Sequence, residues 1–268
     1  MTKITDQDEL QKLANKLGFK GLAANWIDYA DEPVIKKLLA LEEEDRNRRS
    51  LERRMRESQI KEMKPASEFD WTWPTSIDRE LVEELFTLKF MNEQINVIFQ
   101  SANGLGKSML SKNLVHMAVL AGFKTKFISA SQMLSDLSSK EGASARKRCL
   151  LKYTSPDLLA IDELGYLSYD NRYADLLYEV INGRYMQSST IITTNKVFQE
   201  WGEIFPNAGC VVTLIDRLVH KSELVKISGN SYRSKEAAER AISRASKKSS
   251  KIKKKEEKSI DNESDSSS

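Results

Sequence analysis

Cysteine, histidine and long apolar runs are all scarce in this chain, and each scarcity removes a class of protein. Cys149 and Cys210 are the only cysteines, too few and too far apart for a disulfide framework or a thiolate metal site. A reducing, cytoplasmic compartment is therefore expected. The two histidines, His116 and His220, stand alone and read as packing or surface residues. No stretch approaches the ~18 apolar residues of a membrane span, and no apolar core follows the first charges of the N-terminus, so neither a membrane partner nor export is expected. Net charge is also low, +3 over 268 residues, but it is unevenly placed. From Arg233 to Ser268 there are eleven Lys and Arg against seven Asp and Glu, a local +4, which leaves residues 1–232 at −1. Concentrated basic charge on a near-neutral body suits either a locally attached polyanion or a solvated surface.

What is present divides the chain into four parts, with a length that suits one catalytic-sized domain and its flanks. Residues 1–64 read as a helical domain. Leu10, Leu13, Leu17, Leu22 and Trp26 recur near the helical period, interrupted at Gly18 and Gly21. Pro33 permits a new start, and Val34 to Lys64 reads as one long, mostly exposed helix stopped by Pro65. Six arginines lie between Arg46 and Arg56 against one acid, Glu52. The acids from Glu42 to Asp45 offer partial neutralisation one turn away. Residues 65–77 form an aromatic linker, with Phe69, Trp71 and Trp73, that should dock on the core. Asp78 to Asn92 reads as an amphipathic helix, after which strands and helices alternate up to residue 236, the pattern of a parallel sheet flanked by helices. Residues 237–268 are a basic, then acidic, tail with little apolar surface to offset ordering, so disorder is expected from about Ser246.

The strand Val97-Ile98-Phe99 runs into Ser101-Ala102-Asn103-Gly104-Leu105-Gly106-Lys107-Ser108-Met109 and then a helical run to Ala121. Strand, glycine loop and helix in that order make a P-loop. In a P-loop, backbone N–H groups and the helix N-terminus surround phosphates; here Lys107 would bridge the β and γ phosphates of ATP and the Ser108 hydroxyl would bind Mg²⁺, with a chance Gly-Leu-Gly-Lys-Ser in a surface turn as the alternative. Ser101 stands where the pattern has its first glycine. If that position needs a glycine-only dihedral, strain of ~1 to 3 kcal/mol would weaken binding.

A second apolar strand, Leu158-Leu159-Ala160-Ile161, ends in Asp162-Glu163. Asp162 would hold the metal through water, and Glu163 would polarise the water that attacks the γ phosphate. A third, Thr190 to Thr194, ends at Asn195, which would position that water if the strand sits between the other two. A turn or capping role is its alternative. Arg217, far from these residues in sequence, would act as a finger on a neighbouring subunit or form a surface pair with Asp216.

Several segments together resemble a known family. They are Gly104 to Ser108, Leu159 to Leu167, Ile191 to Lys196, Phe198-Gln199-Glu200-Trp201-Gly202, Asp216-Arg217-Leu218 and Gly229-Asn230-Ser231-Tyr232-Arg233. They resemble the IstB transposition helper ATPases, AAA+ proteins close to the DnaC and DnaI helicase loaders. Over about residues 7–236 the resemblance implies an α/β AAA+ P-loop fold with a small N-terminal helical domain and a reduced or absent lid, without a second sensor arginine. It further implies an ATP-controlled homo-oligomer that deforms duplex DNA and presents it to a transposase, with Arg217 acting in trans. Arg48, Arg49, Arg53 and Arg56 are the candidate DNA contacts. A helicase loader, and a DNA scaffold that holds nucleotide with little hydrolysis, are the alternatives.

Overall fold

The computed structural model describes residues 7–166, 171–205 and 209–243. Leu167, and the tail from about Ser246 for which the sequence predicts disorder, lie outside the described residues. A helical module opens the chain: α1 (Gln7–Lys16), α2 (Lys20–Ala24) and α3 (Trp26–Tyr29), followed by α4 (Pro33–Ser58). Leu10, Leu13, Leu17, Ala23, Trp26 and Leu39 bury their apolar surface together, a core separate from that of the sheet. Gly18, at φ +85°, makes the break between α1 and α2.

Two helix predictions are corrected. The long helix stops at Ser58, short of Lys64, because Gln59 adopts a left-handed conformation (φ 58°) and the chain then turns to dock on the body. The predicted helix from Asp78 to Asn92 is two short ones, α5 (Arg79–Leu85), capped by Asp78, and α6 (Lys89–Asn92). Leu88, left-handed at φ 62°, separates them, and the bend lets Leu85, Leu88, Phe90 and Met91 all be buried. Neither break uses glycine. Burial of several large side chains, at roughly 1.5 to 3 kcal/mol each, outweighs the local strain.

The body is a six-stranded sheet in the order β1-β6-β2-β5-β4-β3. Its strands are β1 (Ser76–Ile77), β2 (Asn96–Ser101), β3 (Thr125–Ser129), β4 (Leu158–Leu164), β5 (Ser189–Thr194) and β6 (Ser222–Ser228). All neighbours are parallel except β1, which pairs antiparallel with β6. The central strands are buried on both faces, as their uninterrupted apolar runs require. The helices include α7 (Lys107–Leu120), α8 (Ala130–Ser138), α9 (Ala143–Thr154), α10 (Asn171–Arg184) and α12 (Val211–Val219), with the short α11 (Trp201–Ile204) preceding the last. Residues 232–243 form a final helix, α13. The aromatic segment does dock: Phe69 is buried in the sheet core, and the segment ends by supplying β1.

At the amino ends of the strands, away from the glycine loop, Arg184 is 1% exposed. It donates to the carbonyls of Tyr153 (3.0 Å), Pro156 (2.8 Å) and Ser189 (2.5 Å) and to Thr190 Oγ1 (2.9 Å). One guanidinium thus ties the end of α9 to the entries of β4 and β5. Arg184→Met should keep the volume, strand those acceptors and cost about 3 kcal/mol or more. Urea unfolding checks it, and an unchanged midpoint would mean that the carbonyls find other donors.

Candidate nucleotide site

β2 ends at Ser101, and α7 begins at Lys107. In the loop between them only Gly104 (φ +80°) and Gly106 (φ +90°) are left-handed. Ser101 keeps strand geometry, so the strain anticipated for a side chain there does not arise. Its hydroxyl is instead put to use, donating to Ala102 O at 2.8 Å and accepting from Lys107 Nζ at 3.1 Å. Lys107 also donates to the carbonyls of Ser101 (2.7 Å) and Ala102 (2.9 Å), which places its ammonium beneath the loop. Burial pulls its pKa down to about 8, against the attraction of Asp162 and with Arg233 adding repulsion.

The carboxyl ends of β4 and β5 meet this loop. Asp162 Oδ1 accepts from Ser108 Oγ at 2.9 Å and from Thr193 Oγ1. Thr193 Oγ1 in turn accepts from the Glu163 backbone N–H at 2.9 Å. Glu163 is left-handed at φ 62°, within a register shift between Ile161 and Leu164. A glutamate held in that region costs ~1 to 3 kcal/mol and points to a functional constraint. The bulge interrupts the strand's alternation, and Glu163 lines the same cavity as Lys107 and Ser108. Asn195 follows β5, the strand between β2 and β4. Its buried Oδ1 has no hydrogen-bond partner among the described residues, and Asn195 does not line the cavity.

The cavity over the loop has a volume of about 420 Å³, within the range of small-molecule sites. Gly104 to Met109 form its floor. One wall is Phe69, Asp70, Trp73 and Pro74; the other includes Tyr232 and Arg233. Both walls press on the glycines. A Cβ at Gly106 would overlap the Phe69 ring, and one at Gly104 would overlap Ser231 Oγ. Tyr232 N–H donates to Gly104 O at 2.9 Å, and Tyr166 Oη donates to Asn103 Oδ1 at 2.6 Å. Arg233, near the start of α13, lines the cavity with Lys107. Its signal was in the sequence, inside the Gly229 to Arg233 segment. Phe69 and Trp73, which the sequence marks only as part of a docking linker, line the cavity as well.

Arg217 lies elsewhere. On α12 it stacks over Tyr178 (4.9 Å to the ring centre) and Tyr185 (5.6 Å) and donates to Asn182 Oδ1, not to Asp216. It does not line the cavity. The arginines of α4 divide into two groups. Arg48 pairs with Asp45 and Glu52, and Arg49 with Asp45 and Glu42, as the neighbouring acids allowed. Among the described residues no ion pair engages Arg53 or Arg56.

Comparison with known proteins agrees with this arrangement. The IstB-like ATP binding protein family matches residues 7–240, and the chain belongs to it. It is 30% identical over 239 residues to a protein of insertion sequence IS5376 of Geobacillus stearothermophilus, named for ATP binding, which covers 86% of this chain and 95% of that one. A counterpart from insertion sequence IS21 of Pseudomonas aeruginosa is 32% identical over 237 residues, covering 85% and 89%. Among solved structures, DnaI superposes with a TM-score of 0.50 at 14% identity, over 62% of this chain and 89% of that one, a likeness of fold. The chain is thus an IstB-like ATP binding protein whose fold is like that of DnaI.

The Lys107 pKa gives a pH test. Its charged form, which attracts polyphosphate, is present below about 8 and lost above it. Affinity for a triphosphate should therefore fall about tenfold from pH 7 to pH 9, with proton uptake on binding at the upper end. Calorimetry in buffers of differing ionisation enthalpy measures both, and a flat profile would place Lys107 away from the phosphates.

Proposed function

We propose that this member of the IstB-like family is a magnesium-dependent ATPase that oligomerises on duplex DNA, deforms it and presents it to a partner transposase. The observation that carries the reading is the meeting of Lys107, Ser108, Asp162 and Glu163 where β2, β4 and β5 finish. In this reading the loop N–H groups and Lys107 hold the β and γ phosphates. Ser108 and Asp162 fit a magnesium ion, two oxygens already within 2.9 Å of one another. The ion, when bound, supplies charge neutralisation at the phosphates. Glu163 accepts a proton from the attacking water, Asn195 orients that water through its unpartnered oxygen, and Arg233 adds positive charge. Arg217, outside its own subunit's cavity, reaches the γ phosphate of a neighbour, so each site is complete only in an oligomer. The compartment is the cytoplasm, in keeping with free thiols at Cys149 and Cys210.

DNA contact rests on phosphate recognition by cations. Arg53 and Arg56 carry the least-compensated charge, while Arg48 and Arg49 would exchange acids for phosphates. Bending the duplex costs ~1 to 6 kcal/mol, which added contacts offset. The transposase follows from the insertion sequences to which the relatives belong.

Turnover with duplex DNA tests the enzyme. Lys107→Ala should lose nucleotide binding and assembly on DNA. Glu163→Gln should bind ATP and assemble but release phosphate at least about a hundredfold more slowly, and equal rates in wild type and Glu163→Gln would remove the catalytic assignment. Arg217→Ala should bind ATP without hydrolysing it, and mixing it with Glu163→Gln should restore some activity. No recovery in the mixture would make Arg217 structural. For DNA, the double replacement of Arg53 and Arg56 by Ala should lower the slope of log affinity against log salt by about two. An unaltered slope would move the DNA to another face.

A further inference from the structure

One side chain holds the aromatic wall of the cavity without touching the phosphate chemistry. Asn113 lies on α7, 5% exposed, in a helix interior where asparagine is a poor choice on propensity alone. Its amide is fully engaged. Nδ2 donates to Lys64 O at 2.9 Å and to Met109 O at 2.8 Å, and Oδ1 accepts from the Ala66 backbone N–H at 2.9 Å. Two of these three bonds reach across to the segment that leaves α4, and they grip its donor and its acceptor as a neighbouring strand would.

The grip passes to the cavity within one turn. Residues Ala66–Glu68 form a 3-10 turn in which Phe69 N–H donates to Ala66 O at 3.0 Å. Fixing Ala66 therefore fixes Phe69, whose ring lies against Gly106, and starts the path to Asp70 and Trp73. The far end of the wall is tied independently, by Trp73 Nε1 donating to Asn230 O at 2.8 Å. With the floor of the cavity taken by phosphate-binding residues, this aromatic and apolar wall offers a surface for stacking a planar base.

We propose that Asn113 is a positioning residue for nucleobase recognition: by clamping Lys64 and Ala66 to α7 it sets Phe69 and Trp73 at the height of a base whose phosphates occupy the loop. The inference rests on the nucleotide reading above and deepens it, because it separates recognition of the base from recognition of the polyphosphate.

The test compares two ligands on the full chain, ATP and inorganic tripolyphosphate, each with magnesium, by calorimetric titration of wild type and Asn113→Leu. Leucine keeps the volume and removes all three bonds. Affinity for ATP should fall about tenfold, while affinity for tripolyphosphate should stay within about twofold. Should Asn113→Leu not fold, Asn113→Asp keeps the Ala66 bond, loses the bond to Lys64 and should show the same selective loss to a smaller degree. Equal weakening of both ligands, or no change in either, overturns the proposal in favour of a purely structural Asn113. Wild type that binds neither ligand overturns the nucleotide reading itself, and is seen before any variant is made.

Discussion

A single carboxylate oxygen, Asp162 Oδ1, joins the parts of the chain on which this site depends. Ser108, at the start of α7, and Thr193, near the end of β5, both aim hydroxyl protons at it from either side. The bonds are possible only because β5 lies between β2 and β4, in register that sets Ile192 beside both Ile98 and Ile161. The same Thr193 oxygen takes the backbone proton of Glu163, so the strained left-handed turn at that glutamate is held by the strand beside it. Ser108, Asp162, Glu163 and Thr193 thus share one frame. Their relative placement does not depend on a flexible loop, which is what preorganised charge requires.

The residues of this frame were legible in sequence because each is defined locally, by an apolar strand followed within a few positions by a glycine loop, an acid pair or an asparagine. The strand order came through only as an expectation attached to Asn195. What stayed hidden depended on distant partners. Gln59 and Leu88 are not residues that announce a left-handed turn, and each accepts it so that neighbouring apolar groups can be buried. Ser101 looked like a liability because the motif was read as a dihedral requirement; in the fold that position is still strand, and its hydroxyl helps to seat Lys107. Arg233 was visible as a residue but not as a neighbour. Its approach depends on β6 and on the turn at Gly229, where a Cβ would press on the backbone of Pro74 and Thr75.

The long helix α4 shows how composition and position can mislead when read apart. Its arginines predict one strongly basic face, yet Arg46, Arg48 and Arg49 fold back on acids one turn away. Such exposed pairs add little to stability and yield readily to a phosphate. Leu39 anchors its first half in the N-terminal core, and Arg54, donating to Val119 O at 3.3 Å near the end of α7, anchors its second. The α4 that carries the candidate DNA contacts therefore rests on the phosphate-loop helix itself.

That placement links three things through one stretch of chain. Residues 59–77 leave α4, cross α7 under the Asn113 clamp, form the aromatic wall and end as β1 on the edge of the sheet. There β1 meets β6, Thr75 N–H donates to Ser228 O at 2.9 Å, and Asp70 pairs with Lys235 at 3.2 Å. The two walls of the cavity come from segments far apart in the chain, and each closes on one of the loop's two glycines. A ligand touching loop and walls together stabilises whichever arrangement holds them in place, by an amount set by its concentration relative to its dissociation constant. The aromatic wall is continuous with the exit of α4, so the contacts that hold the wall also hold that end of the helix, with Asn113 on α7 gripping the segment between them.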